Sequence, residues 1–197
     1  MSLTLYYVPR TRSLRPRWLL EELGVPYEIV RMETADTKSP EYRGVHPLGR
    51  VPALVEDGVT LFESAALCLH LADKYGEGKL APTPGSAERA LYYQWILFAA
   101  ASVEPHLSRF MLLRMSDGEA AEIEREGNAA RDHLAVIERA LDGHEFIVGD
   151  RFTSADVVVA WVCSWAKTMG LTETLPRCDA YAKRLLARPA AKRARDA

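Results

Sequence analysis

Between Val51-Pro52 and Glu63-Ser64 this chain leaves room for one kind of local structure. Residues 53–56 and 59–62 are short, largely apolar runs, and Asp57-Gly58 between them is a favoured two-residue hairpin turn. Beyond residue 64, Leu67, Leu71 and Tyr75 recur at helical spacing, so the hairpin runs directly into a helix. Ahead of the hairpin, a proline after a β-branched residue suits a cis bond that turns the backbone outward. Such a turn leaves the Val51 N–H and C=O outside the sheet and open to another peptide. At the far end, the Ser64 hydroxyl and the bare N–H groups of a helix start bind a carboxylate well. Glu63 beside it accepts from an ammonium group. The two ends together describe a site for a small peptide-like anion.

The flanking sequence extends this hairpin into a two-part chain. Strands are expected over 3–8 and 27–32, a helix over 13–23, and a short helix or turn over 39–44. Ser13 stands at the N-cap of the first helix, Pro16 in its first turn and Gly24 just past its end. The order β-α-β-α-β-β-α gives a small mixed sheet flanked by helices, a thioredoxin-like pattern with a right-handed crossover. Residues 76–85 carry three glycines and two prolines and form a linker. Beyond it the patterning is helical throughout, over 87–114 with a bend near Pro105, 120–141, 153–169 and 179–187. The expected organisation is therefore α/β plus all-α, with a thioredoxin-like domain over 1–78, a linker over 79–86 and a helical bundle domain over 87–197.

Several features narrow the function. A net charge of −2 provides no electrostatic footprint for nucleic acid or an anionic membrane. No apolar stretch reaches the length of a membrane span, and the first residues lack a signal-peptide pattern. Cys68, Cys163 and Cys178 are odd in number and widely spaced, as expected of reduced thiols in a cytosol. The five histidines show no metal-ligand spacing, so no metal site is expected. The basic run around Arg188 to Arg195 fits a solvated or fraying tail. Thr153 and Asp156 form an acidic capping box with Phe152 and Val157 as its hydrophobic staple. On that basis Asp156→Ala lowers stability by about 1 kcal/mol or more.

Five segments, in order and at the right spacing, resemble the cytosolic glutathione S-transferase family along nearly the whole chain. They are Leu5-Tyr6-Tyr7-Val8-Pro9, the run from Leu20 to Tyr27, the run from His46 to Leu54, Leu61-Phe62-Glu63-Ser64, and Phe152-Thr153-Ser154-Ala155-Asp156. The opening is similar to the bacterial, beta/theta/phi-like members, except that Arg12 stands where a closely similar bacterial group has a cysteine. The resemblance implies glutathione as co-substrate, with its thiolate attacking a small hydrophobic electrophile. It implies a cytosolic homodimer with a detoxifying role, its dimer surface including 65–69, and an electrophile pocket between 10–13 and the helix around 102–115. Phe110, Leu113, Arg114 and Trp165 are candidates for that pocket.

Carried over residue by residue, Lys38 and Arg50 match positions that hold the glycine end of glutathione. Val51, turned outward by Pro52, matches the group that pairs with the cysteinyl backbone, and Glu63 and Ser64 those that hold the γ-glutamyl head. His46 replaces an asparagine common in relatives and is expected to be structural. For the thiol the turn at 9–13 offers Ser13 first, Thr11 next, and Arg12 as a source of positive potential. N-capping is the competing role for Ser13. Arg10, Arg12, Arg15 and Arg17 form a basic cluster, some solvated or paired with Glu21 and Glu22, with one or two able to attract an anionic substrate. A glutathione-dependent isomerase or dehalogenase, and a non-catalytic binding protein of the same fold, are the alternatives.

Overall fold

A computed structural model describes residues Ser2 to Arg195; Met1, Asp196 and Ala197, which the expected domains include, lie outside the described residues. The chain forms two compact units, one running through Ala81 and taking up the segment from Arg188, the other spanning Pro82–Ala187.

The first unit is built on a four-stranded sheet of order β2-β1-β3-β4. It contains β1 (Leu3–Tyr7), β2 (Glu28–Arg31), β3 (Ala53–Glu56) and β4 (Val59–Phe62). β1 runs parallel to β2 and antiparallel to β3, which pairs antiparallel with β4. The hairpin turn is as the sequence predicts, with Asp57 and Gly58 both at positive φ. Side chains alternate along β1. Leu3, Leu5 and Tyr7 are buried on the face where α1 (Leu14–Leu23) and α3 (Ser64–Tyr75) pack together. Tyr6 points the other way, into a smaller core of Val8, Met32, Tyr42 and Ala53 beside α2 (Pro40–Val45). Gly24 closes α1 in the left-handed conformation, its N–H bonded to the Leu20 carbonyl.

The basic C-terminal run is not a fraying tail. It forms α9 (Pro189–Arg195), which lays Ala190, Ala191 and Ala194 against α1. Arg188 grips Glu22 through Nε and Nη2 at 2.6 and 2.9 Å, and Arg193 Nε bonds Glu21 at 2.8 Å. Glu21 also feels the charge of Arg17, so this carboxylate joins the N-terminal arginine cluster to the C-terminal run.

In the second unit, the predicted long helix is α4 (Ala87–Leu97), a π-helical stretch over Phe98–Val103, and α5 (Glu104–Met115). Pro105 falls in the first turn of α5, where its missing N–H is tolerated, and the wide turn ahead of it absorbs the interruption. The continuous run Ala87–Met115 is long and apolar enough to cross a membrane by length and composition alone; one face of it is core, with Tyr92, Ile96, Ala99, Val103 and Leu107 fully buried, while Leu91, Tyr93, Leu97, Leu112 and Met115 are exposed. α6 (Ala120–Ala140), α7 (Ser154–Thr168) and α8 (Pro176–Leu186) complete the unit. α7 is buried along most of its length and starts at the predicted capping box. Asp156 accepts from the Thr153 N–H at 2.7 Å, the Ile147 N–H at 2.9 Å and the Tyr181 hydroxyl at 2.7 Å. Burial pushes this carboxyl up, against the pull of those hydrogen bonds.

Candidate functional site

The β1–α1 turn holds the three residues expected to act on a thiol, arranged differently from expectation. Ser13 is not a cap: it has helical dihedrals and makes no side-chain capping bond. Its Oγ is fully buried, donates to the Val8 carbonyl at 2.8 Å and accepts from the Val8 N–H at 3.2 Å. The hydroxyl thus finishes the hydrogen bonding of the strand end, a stronger demand in the interior than capping a helix start near water. Thr11 is half-buried and places its hydroxyl 2.7 Å from both the Val8 carbonyl and Ser13 Oγ. The Ser13 N–H donates to Thr11 Oγ1 at 3.2 Å. Two hydroxyl protons therefore serve three short contacts, and the Val8 carbonyl is satisfied when either one turns to it. Arg12 is half-buried beside them, whereas Arg10 is exposed and held at φ 60°.

At the start of β3, the Val51-Pro52 bond is cis. Among the described residues, the Val51 N–H and C=O take no part in the sheet ladders or the turn hydrogen bonds. The preceding loop is anchored from two sides. Tyr42, whose hydroxyl burial pushes up to about 12, donates to the Arg50 carbonyl at 2.7 Å, and Lys38 Nζ donates to the Gly49 carbonyl at 2.8 Å. Gly49 lies at positive φ against Thr37, where a Cβ would overlap the Thr37 carbonyl oxygen. Lys38 and Arg50 both remain exposed.

His46 is buried between these groups, its ring 4.9 Å from that of Phe62 and its Nδ1 accepting from the Leu48 N–H at 3.2 Å. Burial lowers its pKa; the Glu63 carboxylate opposes that, and Arg50 and Lys38 add to it. A neutral His46 that ties down its own loop is a structural element, in keeping with its expected role.

The residue just ahead of α3, Glu63, is also held at positive φ, 72°, and is exposed. Ser64 is buried and accepts a hydrogen bond from Arg15 Nη1 at 3.1 Å. With that lone pair engaged, the Ser64 proton is left to donate outward. Arg15 itself is fully buried, placing a guanidinium directly behind the start of α3. Sequence patterning puts Arg15 in a basic cluster without singling it out; its place between Leu14 and Pro16 in the first turn of α1, ahead of the apolar Trp18-Leu19-Leu20, was the available clue. Cys68, also fully buried in α3, has its thiol pushed up to about 12 by burial despite the nearby Arg15 charge, so it is no nucleophile.

One unit thus carries an open backbone amide, a carboxylate, a buried guanidinium behind a serine, two exposed cations and a hydroxyl pair. These are the complements of a peptide with an amino-acid head. The chain matches the profile for the glutathione S-transferase N-terminal domain over residues 1–73, and that for the C-terminal domain over 120–184. The chain belongs to the glutathione S-transferase family. It is 32% identical to glutathione S-transferase 3 of Schizosaccharomyces pombe over 172 residues, 78% of this chain and 70% of that one. It is 30% identical to glutathione S-transferase GST-4.5 of Xanthomonas campestris over 93% of this chain and 92% of the relative. A glutathione transferase of Phanerochaete chrysosporium, solved with oxidized glutathione, has a TM-score of 0.87 at 30% identity, covering 98% of this chain and 94% of that one. A glutathione transferase family member of Pseudomonas fluorescens, solved with two glutathiones bound, has a TM-score of 0.89 at 29% identity, covering 99% and 92%.

The candidate electrophile residues of the helical unit fall into two groups. Phe110 and Leu113 are buried, with Phe110 packed so closely on α6 that a Cβ at Gly127 would sit 3.0 Å from its ring. Arg114 stacks over Phe110 at 5.6 Å, and Trp165 packs against Trp161 at 5.2 Å. Phe110 and Leu113 therefore act as core.

Proposed function

We propose that this glutathione S-transferase family member binds glutathione through the first unit and transfers its thiolate to a small hydrophobic electrophile. The observation that carries this reading is the open Val51 backbone beside Glu63 and the Arg15-backed Ser64. Val51 is half-buried, and its backbone, which takes no part in the sheet ladders, pairs with the cysteinyl backbone. Ser64 and the N–H groups at the start of α3 hold the γ-glutamyl carboxylate, with Arg15 behind them supplying charge. Glu63 accepts from the α-ammonium group. Lys38 and Arg50 attract the glycine carboxylate.

For the thiolate, Thr11 takes the role that sequence alone assigns first to Ser13. Ser13 is sealed in and already satisfies Val8, so the Thr11 proton is redundant there and turns to the sulfur. Arg12 adds positive potential. Lowering a thiol pKa of about 8.5 by two units takes about 2.7 kcal/mol of preferential thiolate stabilisation. One charge-assisted hydrogen bond of ~1.5–3 kcal/mol supplies most of it. A cytosolic homodimer is the proposed working form.

A second reading has a disulfide sulfur as the electrophile, favoured by relatives of 30% and 29% identity solved with oxidized glutathione and with two glutathiones. The experiment is an ultraviolet difference titration of glutathione across pH, paired with turnover of 1-chloro-2,4-dinitrobenzene and of a glutathione mixed disulfide. A saturable thiolate band well below the free thiol's pKa, with turnover of the aryl halide, supports conjugation. Turnover of the disulfide alone moves the assignment to thiol–disulfide chemistry. Tight binding without turnover of either leaves a glutathione-binding protein.

A further inference from the structure

Among the described residues, Arg10 is the one member of the N-terminal arginine cluster without a partner. Arg15 is buried on Ser64, and Arg17 lies over the Tyr7 ring at 4.6 Å. Arg12 is half-buried within the turn. The two nearest acidic residues along the chain, Glu21 and Glu22, are engaged by Arg193 and Arg188. Among the described residues, the Arg10 side chain makes no hydrogen bond or ion pair, and it is exposed. Its backbone is also held at φ 60°, a conformation that glycine adopts without strain and arginine does not. Strained non-glycine residues of this kind cluster where a side chain has a task.

The position of Arg10 names the task. It directly precedes Thr11, with adjacent Cα atoms ~3.8 Å apart. Its unpaired, flexible side chain can therefore swing a guanidinium toward a substrate whose reacting carbon meets a sulfur at Thr11. In the proposed binding mode the glycine carboxylate of glutathione already has Lys38 and Arg50. A further uncompensated cation at the thiol end serves the other substrate.

We propose that Arg10 selects electrophiles bearing a carboxylate, pairing with that group while the glutathione sulfur attacks the reactive carbon. This rests on the transferase reading and deepens it. With a halogenated nitrobenzoate, the sulfur–carbon bond forms as the carbon–chlorine bond breaks. Chloride leaves with the bonding pair, and the thiol proton has already passed to solvent. The carboxylate itself takes no part in the bond changes. It is bound bidentately by the guanidinium, whose planar fork matches it.

The test compares 4-chloro-3-nitrobenzoate with 4-chloro-3-nitrobenzamide, a neutral analogue of nearly the same shape, using the full chain. Each kcat/KM is divided by the uncatalysed rate constant with glutathione. The wild type is expected to favour the benzoate about tenfold at low ionic strength, and less as salt screens the pair. Arg10→Gly, which suits the backbone, should bring that preference to within twofold of unity while benzamide turnover persists. Arg10→Lys should keep part of the preference, and Arg10→Glu should invert it. Competitive inhibition by 3-nitrobenzoate against 3-nitrobenzamide reads the same selectivity without chemistry. A preference that survives Arg10→Gly, or an equal loss with both substrates, overturns the assignment of Arg10. Wild-type protein that binds no glutathione overturns the transferase reading itself, an outcome the difference titration detects separately.

Discussion

Replacing Thr11 by valine tests the proposed division of labour in the β1–α1 turn. Valine keeps the shape and removes the hydroxyl that is 2.7 Å from both Ser13 Oγ and the Val8 carbonyl. The Val8 carbonyl keeps its bond from Ser13, so the fold loses chiefly the acceptor for the Ser13 N–H, a change of about 1 kcal/mol. The bound thiolate loses a charge-assisted bond of about 1.5–3 kcal/mol, which raises its pKa by about one to two units. At a pH below that pKa, kcat/KM falls about 10- to 100-fold, with glutathione affinity nearly unchanged. Ser13→Ala behaves otherwise. It unbinds the Val8 N–H in the interior, costing about 1–3 kcal/mol of stability. It also draws the Thr11 proton back to the Val8 carbonyl, so the thiol pKa rises in part. Because Ser13 acts through Thr11, the double variant should show the thiol pKa of Thr11→Val alone, a non-additivity that a double-mutant cycle isolates. The assay is the thiolate absorbance of saturated protein against pH, with urea unfolding alongside. An unaltered band in Thr11→Val, or strictly additive shifts in the double variant, refutes the reasoning.

Arg15→Met keeps the volume of the side chain and removes the charge behind Ser64; KM for glutathione should rise about tenfold or more with kcat changed less than threefold. A glutathione analogue lacking the γ-glutamyl carboxylate should bind both proteins equally, and a uniform loss of kcat would count against this placement. Asp156→Ala should destabilise by about 3 kcal/mol or more, well above a lost cap alone, because the buried Ile147 N–H and Tyr181 hydroxyl lose their acceptor together; urea midpoints at constant slope measure it. Burial alone would raise the pKa of Glu56, but hydrogen bonds from Tyr75, Lys74 and His70 outweigh it and bring the group down to about 2. A carboxylate with a lowered folded pKa stabilises the fold above its unfolded value of 4.5, and that contribution disappears as pH falls from 4.5 toward 2. The full shift corresponds to at most ~3 kcal/mol, and because His70 and Lys74 are partly exposed we expect about half of it. The stability gap between wild type and Glu56→Gln should therefore close across that window; a constant gap would mean that Glu56 acts only by packing.

The features legible in the sequence are those set within a few residues of themselves. Asp57-Gly58 specifies its turn by the dihedral freedom of those two residues, and that two-residue turn sets the register of Ala53–Glu56 on Val59–Phe62. Thr153 and Asp156 specify a helix start because the box closes over three residues. The pairing of Val51 with an open backbone, and of Ser64 with a helix start, is likewise local, so the proposed glutathione-binding residues emerge from patterning and family resemblance alone. Tertiary structure decided where polar side chains spend their hydrogen bonds. Ser13 turned from capping its own helix to completing the strand end at Val8, and so yielded the outward role to Thr11. Arg15 reached Ser64, 49 residues away, and became buried. Glu21 and Glu22 found arginines 172 and 166 residues distant, which made the basic tail a docked helix and left Arg10 without a partner among the described residues. Local spacing records which groups can bond but not which of several equal arginines arrives; that choice is made only when the chain closes long loops and burial makes an unmet donor or acceptor costly.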